Sequence, residues 1–213
     1  LNGKCNTATL LHGQRESRVT DTTPNKGGTR TALLILDLQK DFLQPEGKLL
    51  VAQEQVPGML EATNRTIKAA DARGMEVVYI GNEFSPWDIP ANWFRNSAAI
   101  RGQPGTRIDD RVLVINKQYF PKCRGNAFSN PRLVEFLRSQ NVRDVILTGV
   151  YANACVQFTA IGALRLGYRV TVLRDAVAAA NLRKREVALE RMQRRGIEVM
   201  DSSSILEGKN RTG

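Results

Sequence analysis

A chain of 213 residues with 42% hydrophobic and 24% charged residues is long enough for one domain with a sizeable buried core. No apolar run approaches the roughly 18 unbroken residues that a membrane-spanning helix requires, so no membrane partner is expected. The net charge of +10 comes from 31 Lys and Arg against 21 Asp and Glu. It is scattered, densest at residues 183–185 and 191–195 of one late amphipathic segment, and no aromatics interleave with it. That pattern reads as a solvated basic surface, and no nucleic acid is expected as a partner.

Residues 1–30 are polar, without a sustained apolar period, and read as a flexible N-terminal arm. The one histidine, His12, lies there, and a single histidine cannot build the usual zinc site; no metal is expected. Residues 32–36 form a fully apolar run ending at Asp37, the pattern of a strand buried on both faces. Residues 41–47 carry turn chemistry. Residues 56–73 place Met59, Leu60, Thr63, Ile67 and Ala70 at helical spacing, and Gly74 ends that helix. Residues 75–80 read as the second strand.

The long segment 81–110, with Trp87, Trp93 and Phe94, reads as a lid or pocket wall, with an inter-subunit loop as the alternative. Residues 112–115 are expected to form the third strand, with Lys117 just past its end. A helix over 131–140 follows, capped by Ser129 or Asn130. Then come a strand over 142–147, a helix over 155–166, a strand over 169–173, a helix over 184–195, a strand over 197–200 and a polar tail at 207–213. The alternation predicts an α/β domain over 31–206. Its expected form is a three-layer, doubly wound, Rossmann-like fold whose six-stranded, mainly parallel sheet has the order 3-2-1-4-5-6. No GxGxxG follows the first strand, so a dinucleotide is not expected; no cofactor is expected.

Such a sheet gathers its site beyond the carboxyl ends of the strands, where strand order reverses. Three chemically capable residues follow strand ends: Asp37, Lys117 and Cys155. A cysteine on the first turn of a helix meets free N–H groups and the positive end of the helix dipole, which favour thiolate. Alone, each residue is equally compatible with a bland role: a turn-capping Asp, a solvated Lys, a buried small thiol. Together they make a base, a cation and a nucleophile. The cysteines Cys5, Cys123 and Cys155 are odd in number and far apart, which does not suggest a disulfide framework; a reducing, cytoplasmic setting is expected.

The segment Leu34-Ile35-Leu36-Asp37-Leu38-Gln39-Lys40-Asp41-Phe42 resembles the Asp-x-Gln-x-x-Phe signature of the isochorismatase-like cysteine hydrolases. Lys117 with Gly125-Asn126-Ala127-Phe128 resembles their Lys…Ser-Ala-Phe segment, and residues 148–156 resemble their nucleophile turn. Gly167-Tyr168-Arg169-Val170 and Asp175-Ala176 continue the likeness in register. The resemblance implies Cys155 as nucleophile, Asp37 as base and Lys117 as the cation that stabilises the thiolate. It implies an oxyanion hole from the backbone N–H groups of Tyr151 and Cys155, a cis peptide at Val150–Tyr151 and a homo-oligomer.

The departures from the family narrow the expectation. The region after Asp37 reads Gln44-Pro45-Glu46-Gly47-Lys48-Leu49, without the histidines of the nicotinamidase metal site. Keeping Cys155 favours C–N hydrolysis over the vinyl-ether cleavage of true isochorismatases. The expected activity is hydrolysis of a small amide or ureide, of N-carbamoyl type, through a cysteine thioester. The alternatives are an ether-cleaving hydrolase relying on Asp37 and a catalytically silent scaffold. Gln39, Phe42, Phe84, Trp87, Tyr119, Asn153 and Phe158 are the candidate pocket residues for this small-molecule substrate, with Arg95 or Arg101 as a carboxylate ligand. Cys123 stands as a candidate second thiol near the pocket.

Overall fold

A computed structural model describes residues 30–207; residues 1–29 of the expected arm and 208–213 of the expected tail lie outside it. Six strands form one sheet in the order β3-β2-β1-β4-β5-β6, every pairing parallel. The strands are β1 (Arg30–Leu36), β2 (Glu76–Asn82), β3 (Tyr119–Lys122), β4 (Val142–Val150), β5 (Arg169–Ala178) and β6 (Glu198–Met200). The helices are α1 (Lys40–Leu43), α2 (Val56–Ala72), α3 (Ile89–Phe94), α4 (Pro131–Ser139), α5 (Gln157–Arg165), α6 (Leu182–Gln193) and α7 (Ser202–Leu206).

The apolar run of β1 explains the layering. Alternate residues of a strand point to opposite faces, so Leu33 and Ile35 join one core while Ala32, Leu34 and Leu36 join the other. The first core is closed by α1, α2 and α7, the second by α4, α5 and α6. Each fully buried Leu of β1 contributes about 1.5–3 kcal/mol of apolar transfer free energy, which is why this strand sits at the centre of the sheet. Local chemistry fixes the helix starts. The Asn130 side chain accepts from the Arg132 N–H (3.0 Å) with Pro131 at the first helical position of α4, and Asn181 accepts from the Lys184 N–H (2.8 Å) at α6.

The third strand is where the structure departs from the sequence reading. Residues 112–115 are not a strand; β3 lies at Tyr119–Lys122. The apolar 112–115 run does pack on the α2 side, with Val112 buried and Leu113 and Ile115 partly so. Its backbone is satisfied by side chains instead of a ladder. Asn64 accepts from the Leu113 N–H (2.8 Å), and the Tyr79 hydroxyl donates to the Leu113 carbonyl (2.9 Å) and accepts from the Ile115 N–H (3.1 Å). Asn116 then donates to the Val77 carbonyl and reverses the chain onto β2. Tyr119–Lys122 takes the outer place beside Tyr79–Asn82, and Pro121 is tolerated because β3 is an edge strand.

Candidate active site

The crest of the sheet brings together four segments. Asp37 follows β1, Asn82 ends β2, Lys122 ends β3, and Cys155 lies in the π-helical turn Ala152–Val156 after β4. Asp37 adopts φ +56°, a left-handed conformation that Asp and Asn tolerate better than bulkier residues. Its N–H is held by the Ile80 carbonyl at 2.8 Å. Just behind it, β1 and β4 come unusually close: Gly149, at φ +113°, faces Leu36 in the ladder, and any Cβ there would fall onto the Leu36 carbonyl oxygen. The Val150–Tyr151 peptide bond is cis.

The Lys122 Nζ lies 2.9 Å from Asp37 Oδ2, donates to Asn82 Oδ1 at 2.7 Å and to Cys155 Sγ at 3.3 Å. The Lys122 and Asp37 side chains are 0% and 1% exposed. Asp37 feels the ammonium chiefly as a neighbouring charge, since neither of its oxygens accepts a well-directed hydrogen bond from it. Burial works against the charged form of Lys122, but Asp37 and Cys155 outweigh it and raise its pKa, so the amine is an ammonium at neutral pH. Burial, with the Asp37 charge behind it, pushes the Cys155 thiol up to about 12 against the opposing pull of Lys122 and a hydrogen bond from Asn82. The resting group is therefore a thiol. The expected helix-terminus activation does not prevail because regular helix α5 begins at Gln157, past Cys155, which is itself partly buried.

Lys117 is corrected by this geometry. It is exposed, in the turn before β3, and Lys122 occupies the place expected of it. The error follows from the misplaced third strand; the sequence signal for Lys122 was its closer spacing to Ala127-Phe128. Asn82 escaped the sequence reading altogether, since an Asn at a strand end is ordinary turn chemistry.

The expected pocket residues divide. Gln39 is fully buried and bonded to the backbone of Asn82 and Thr106. Phe42 is in the core, its ring edge-on to Tyr151 at 5.8 Å. Trp87 is 86% exposed, Asn153 is exposed and Phe158 half exposed. Tyr119 donates to Glu83 Oε1 at 3.1 Å, and Phe84 lies under the Arg95 guanidinium at 3.7 Å. Arg95 also pairs with Asp88 and Arg101 with Glu83, so both lid arginines have partners within the chain. Cys123 is disulfide-bonded and brings no free thiol to the site, a correction to the expectation that the cysteines form no disulfide. Among the described residues no group of three or more His, Cys, Asp or Glu is gathered as metal ligands, and no helix is long and apolar enough to cross a membrane. An open groove of about 660 Å³ along α4, lined by Phe128, Pro131, Val134 and Arg138, contains none of the four crest residues.

The isochorismatase domain family matches residues 31–204, which includes every one of these residues. The chain belongs to the isochorismatase family. This family member is 26% identical over 174 residues to the ureidoacrylate amidohydrolase RutB of Caulobacter vibrioides, covering 70% of this chain and 77% of that protein. It is 30% identical over 164 residues to a probable inactive nicotinamidase of Arabidopsis thaliana, covering 70% of this chain and 81% of the relative. Among solved structures it resembles N-carbamoylsarcosine amidase from Thermoplasma acidophilum, with a TM-score of 0.69, 25% identity, and coverage of 82% of this chain and 97% of the other. The isochorismatase-like fold is thus shared with hydrolases, amidohydrolases among them.

Proposed function

We propose that this protein is a cysteine amidohydrolase cleaving a C–N bond of a small amide or ureide, of N-carbamoyl type, through a thioester on Cys155. The observation that carries the reading is the buried ammonium of Lys122 set between the Asp37 carboxylate and the Cys155 sulfur. The likeness to ureidoacrylate amidohydrolase and N-carbamoylsarcosine amidase supports the substrate class.

In this mechanism the thiol proton passes to Asp37 as Cys155 Sγ attacks the substrate carbonyl carbon, so free thiolate need not accumulate. Lys122 offsets the negative charge that passes from carboxylate to sulfur. The backbone N–H groups of Tyr151 and Cys155 receive the oxyanion. Collapse breaks the C–N bond, and the proton on Asp37 goes to the leaving ammonia or amine. Asp37 then takes a proton from water as its oxygen attacks the thioester, and Cys155 leaves with that proton as thiol.

The test is a panel of simple amides, ureides and N-carbamoyl amino acids followed by ammonia release, with wild type and Cys155→Ala. Turnover lost in Cys155→Ala, with an acyl adduct on Cys155 in wild type by intact mass, is the expected result. Turnover retained without the cysteine would favour hydrolysis by Asp37 alone, of the ether-cleaving kind. The silent-scaffold reading has the probable inactive nicotinamidase of Arabidopsis on its side, and the complete Asp37, Lys122 and Cys155 set against it. The homo-oligomer implied by the family resemblance is part of the proposal. Trp87, Ile89, Trp93 and Phe94, each at least 70% exposed on one short stretch, support it. Light scattering on wild type and a Trp93→Ser, Phe94→Ser double variant tests it, with dissociation of the double variant expected.

A further inference from the structure

We infer that Asn82 is a fourth member of the catalytic group, a donor to the Cys155 sulfur, and that Gln39 is the positioning residue that holds it. The inference rests on the proposed function for its chemistry, though not for its test.

The two ends of the Asn82 amide are chemically distinct, one accepting and one donating. An ammonium only donates, so the end facing Lys122 Nζ at 2.7 Å is the carbonyl oxygen Oδ1. The amino end is thereby fixed toward the sulfur, with Nδ2 3.7 Å from Cys155 Sγ. Lys122 thus orients Asn82 as well as contacting the nucleophile, and the residue is only 4% exposed, so no water competes freely for either end. A thiol gains little from such a donor; a thiolate gains much more, because hydrogen bonds to charged groups are about twice as strong. Asn82 therefore acts in the direction of the reaction, favouring the sulfur in the form that attacks and that leaves. Consistently, its hydrogen bond pulls the thiol pKa down against burial and Asp37.

Gln39 holds the backbone of this residue from both sides. Its Nε2 donates to the Asn82 carbonyl at 2.9 Å and its Oε1 accepts from the Asn82 N–H at 2.8 Å, the two-way bonding that one strand gives its neighbour. The same Nε2 donates to the Thr106 carbonyl at 2.7 Å, and the Gln39 N–H is bonded to the Asp37 carbonyl at 2.8 Å. One wholly buried side chain thus ties the segment that carries the base to the strand end that carries the donor. Glutamine is required rather than glutamate, since two carbonyl oxygens converge on its amino end.

The experiment measures the thiol itself. Cys155 alkylation by iodoacetamide is followed by peptide mass mapping across pH 7–12 in wild type, Asn82→Ala, Asn82→Asp and Gln39→Glu. The groups that set the wild-type profile are Asp37 after β1, Lys122 on β3 and Tyr151 in the turn, besides Cys155 itself. Asn82→Ala is expected to slow alkylation near neutral pH about tenfold and move the profile to higher pH, the size of effect of one hydrogen bond to a charged group. Asn82→Asp keeps the acceptor for Lys122 but removes the donor and adds charge, so its profile moves further up. Gln39→Glu moves it the same way by less. A purely structural role for Asn82 would lower thermal stability without moving the profile, and an unmoved profile in folded Asn82→Ala and Asn82→Asp overturns the inference. Failure of the amide and ureide panel with a shifted profile sinks the functional reading and leaves this inference standing. Turnover on the panel with an unmoved profile does the reverse.

Discussion

Lys122 Nζ and Asp37 Oδ2 stand 2.9 Å apart with both side chains withdrawn from solvent. An ion pair in that setting is costly to break from one side, because the survivor is left as an uncompensated buried charge. Lys122→Met is therefore expected to lower stability by about 3–5 kcal/mol and kcat/KM by about 10²–10³, by denaturant unfolding and steady-state assay. Lys117→Met, on the exposed turn, stays within about 0.5 kcal/mol of wild type and keeps its activity. Equal effects of the two substitutions would refute the placement of the site cation.

The thiol gives a pH dependence with a definite sign. In the unfolded chain Cys155 titrates near its ordinary value of 9.0, while in the native state burial pushes it to about 12. Between those values the native protein binds the extra proton, so stability is fully present below about pH 9 and declines as pH rises through the window. Lys122, also raised, declines in the same direction. Comparing Tm of wild type with Cys155→Ser isolates the thiol: the difference is flat below pH 9, and wild type loses ground above it. A constant difference through pH 11 would contradict a protonated resting thiol.

Gly149→Ala joins a left-handed strain to a clash with the Leu36 carbonyl directly behind Asp37. A loss of about 3 kcal/mol or more is expected, and because the collision lies at the junction of β1 and β4, residual folded protein should have lost turnover as well. Wild-type Tm in Gly149→Ala would show that the two strands can part without cost.

Asn130 has two duties, capping α4 through Oδ1 and donating through Nδ2 to the Pro121 carbonyl at 2.8 Å. Asn130→Ala is expected to cost about 1 kcal/mol for the cap. Asn130→Asp keeps the cap and loses the donor, so it recovers most of that stability. The difference, read by denaturant midpoint, measures what anchors β3 beside Lys122.

The central strands were legible because burial on both faces writes itself as an unbroken apolar run: residues 32–36 and 142–147 are readable without a neighbour in view. The positions of Asp37 and Cys155 were legible for a related reason: Asp37 directly follows such a run, and Cys155 lies in the turn beyond another. The edge of the sheet was not. Residues 112–115 have a strand's composition but spend their backbone groups on Asn64 and Tyr79, and the paired segment contains Pro121 and a buried lysine, both poor strand signals. Gln39 looked like a pocket residue because a polar group near Asp37 invites that reading; its three hydrogen bonds to distant carbonyl and N–H groups exist only once residues 82 and 106 are beside it.

The four crest residues come from β1, β2, β3 and the turn after β4, separated along the chain by dozens of residues. None of their mutual contacts is local, so each requires a loop to be closed before it is rewarded. During refolding, helices such as α2 and α6 can form from near neighbours, whereas the thiol environment waits for the β3-β2-β1-β4 half of the sheet to assemble. Far-ultraviolet dichroism should therefore recover before Cys155 acquires its native alkylation rate, making this thiol a built-in clock for completion of the fold.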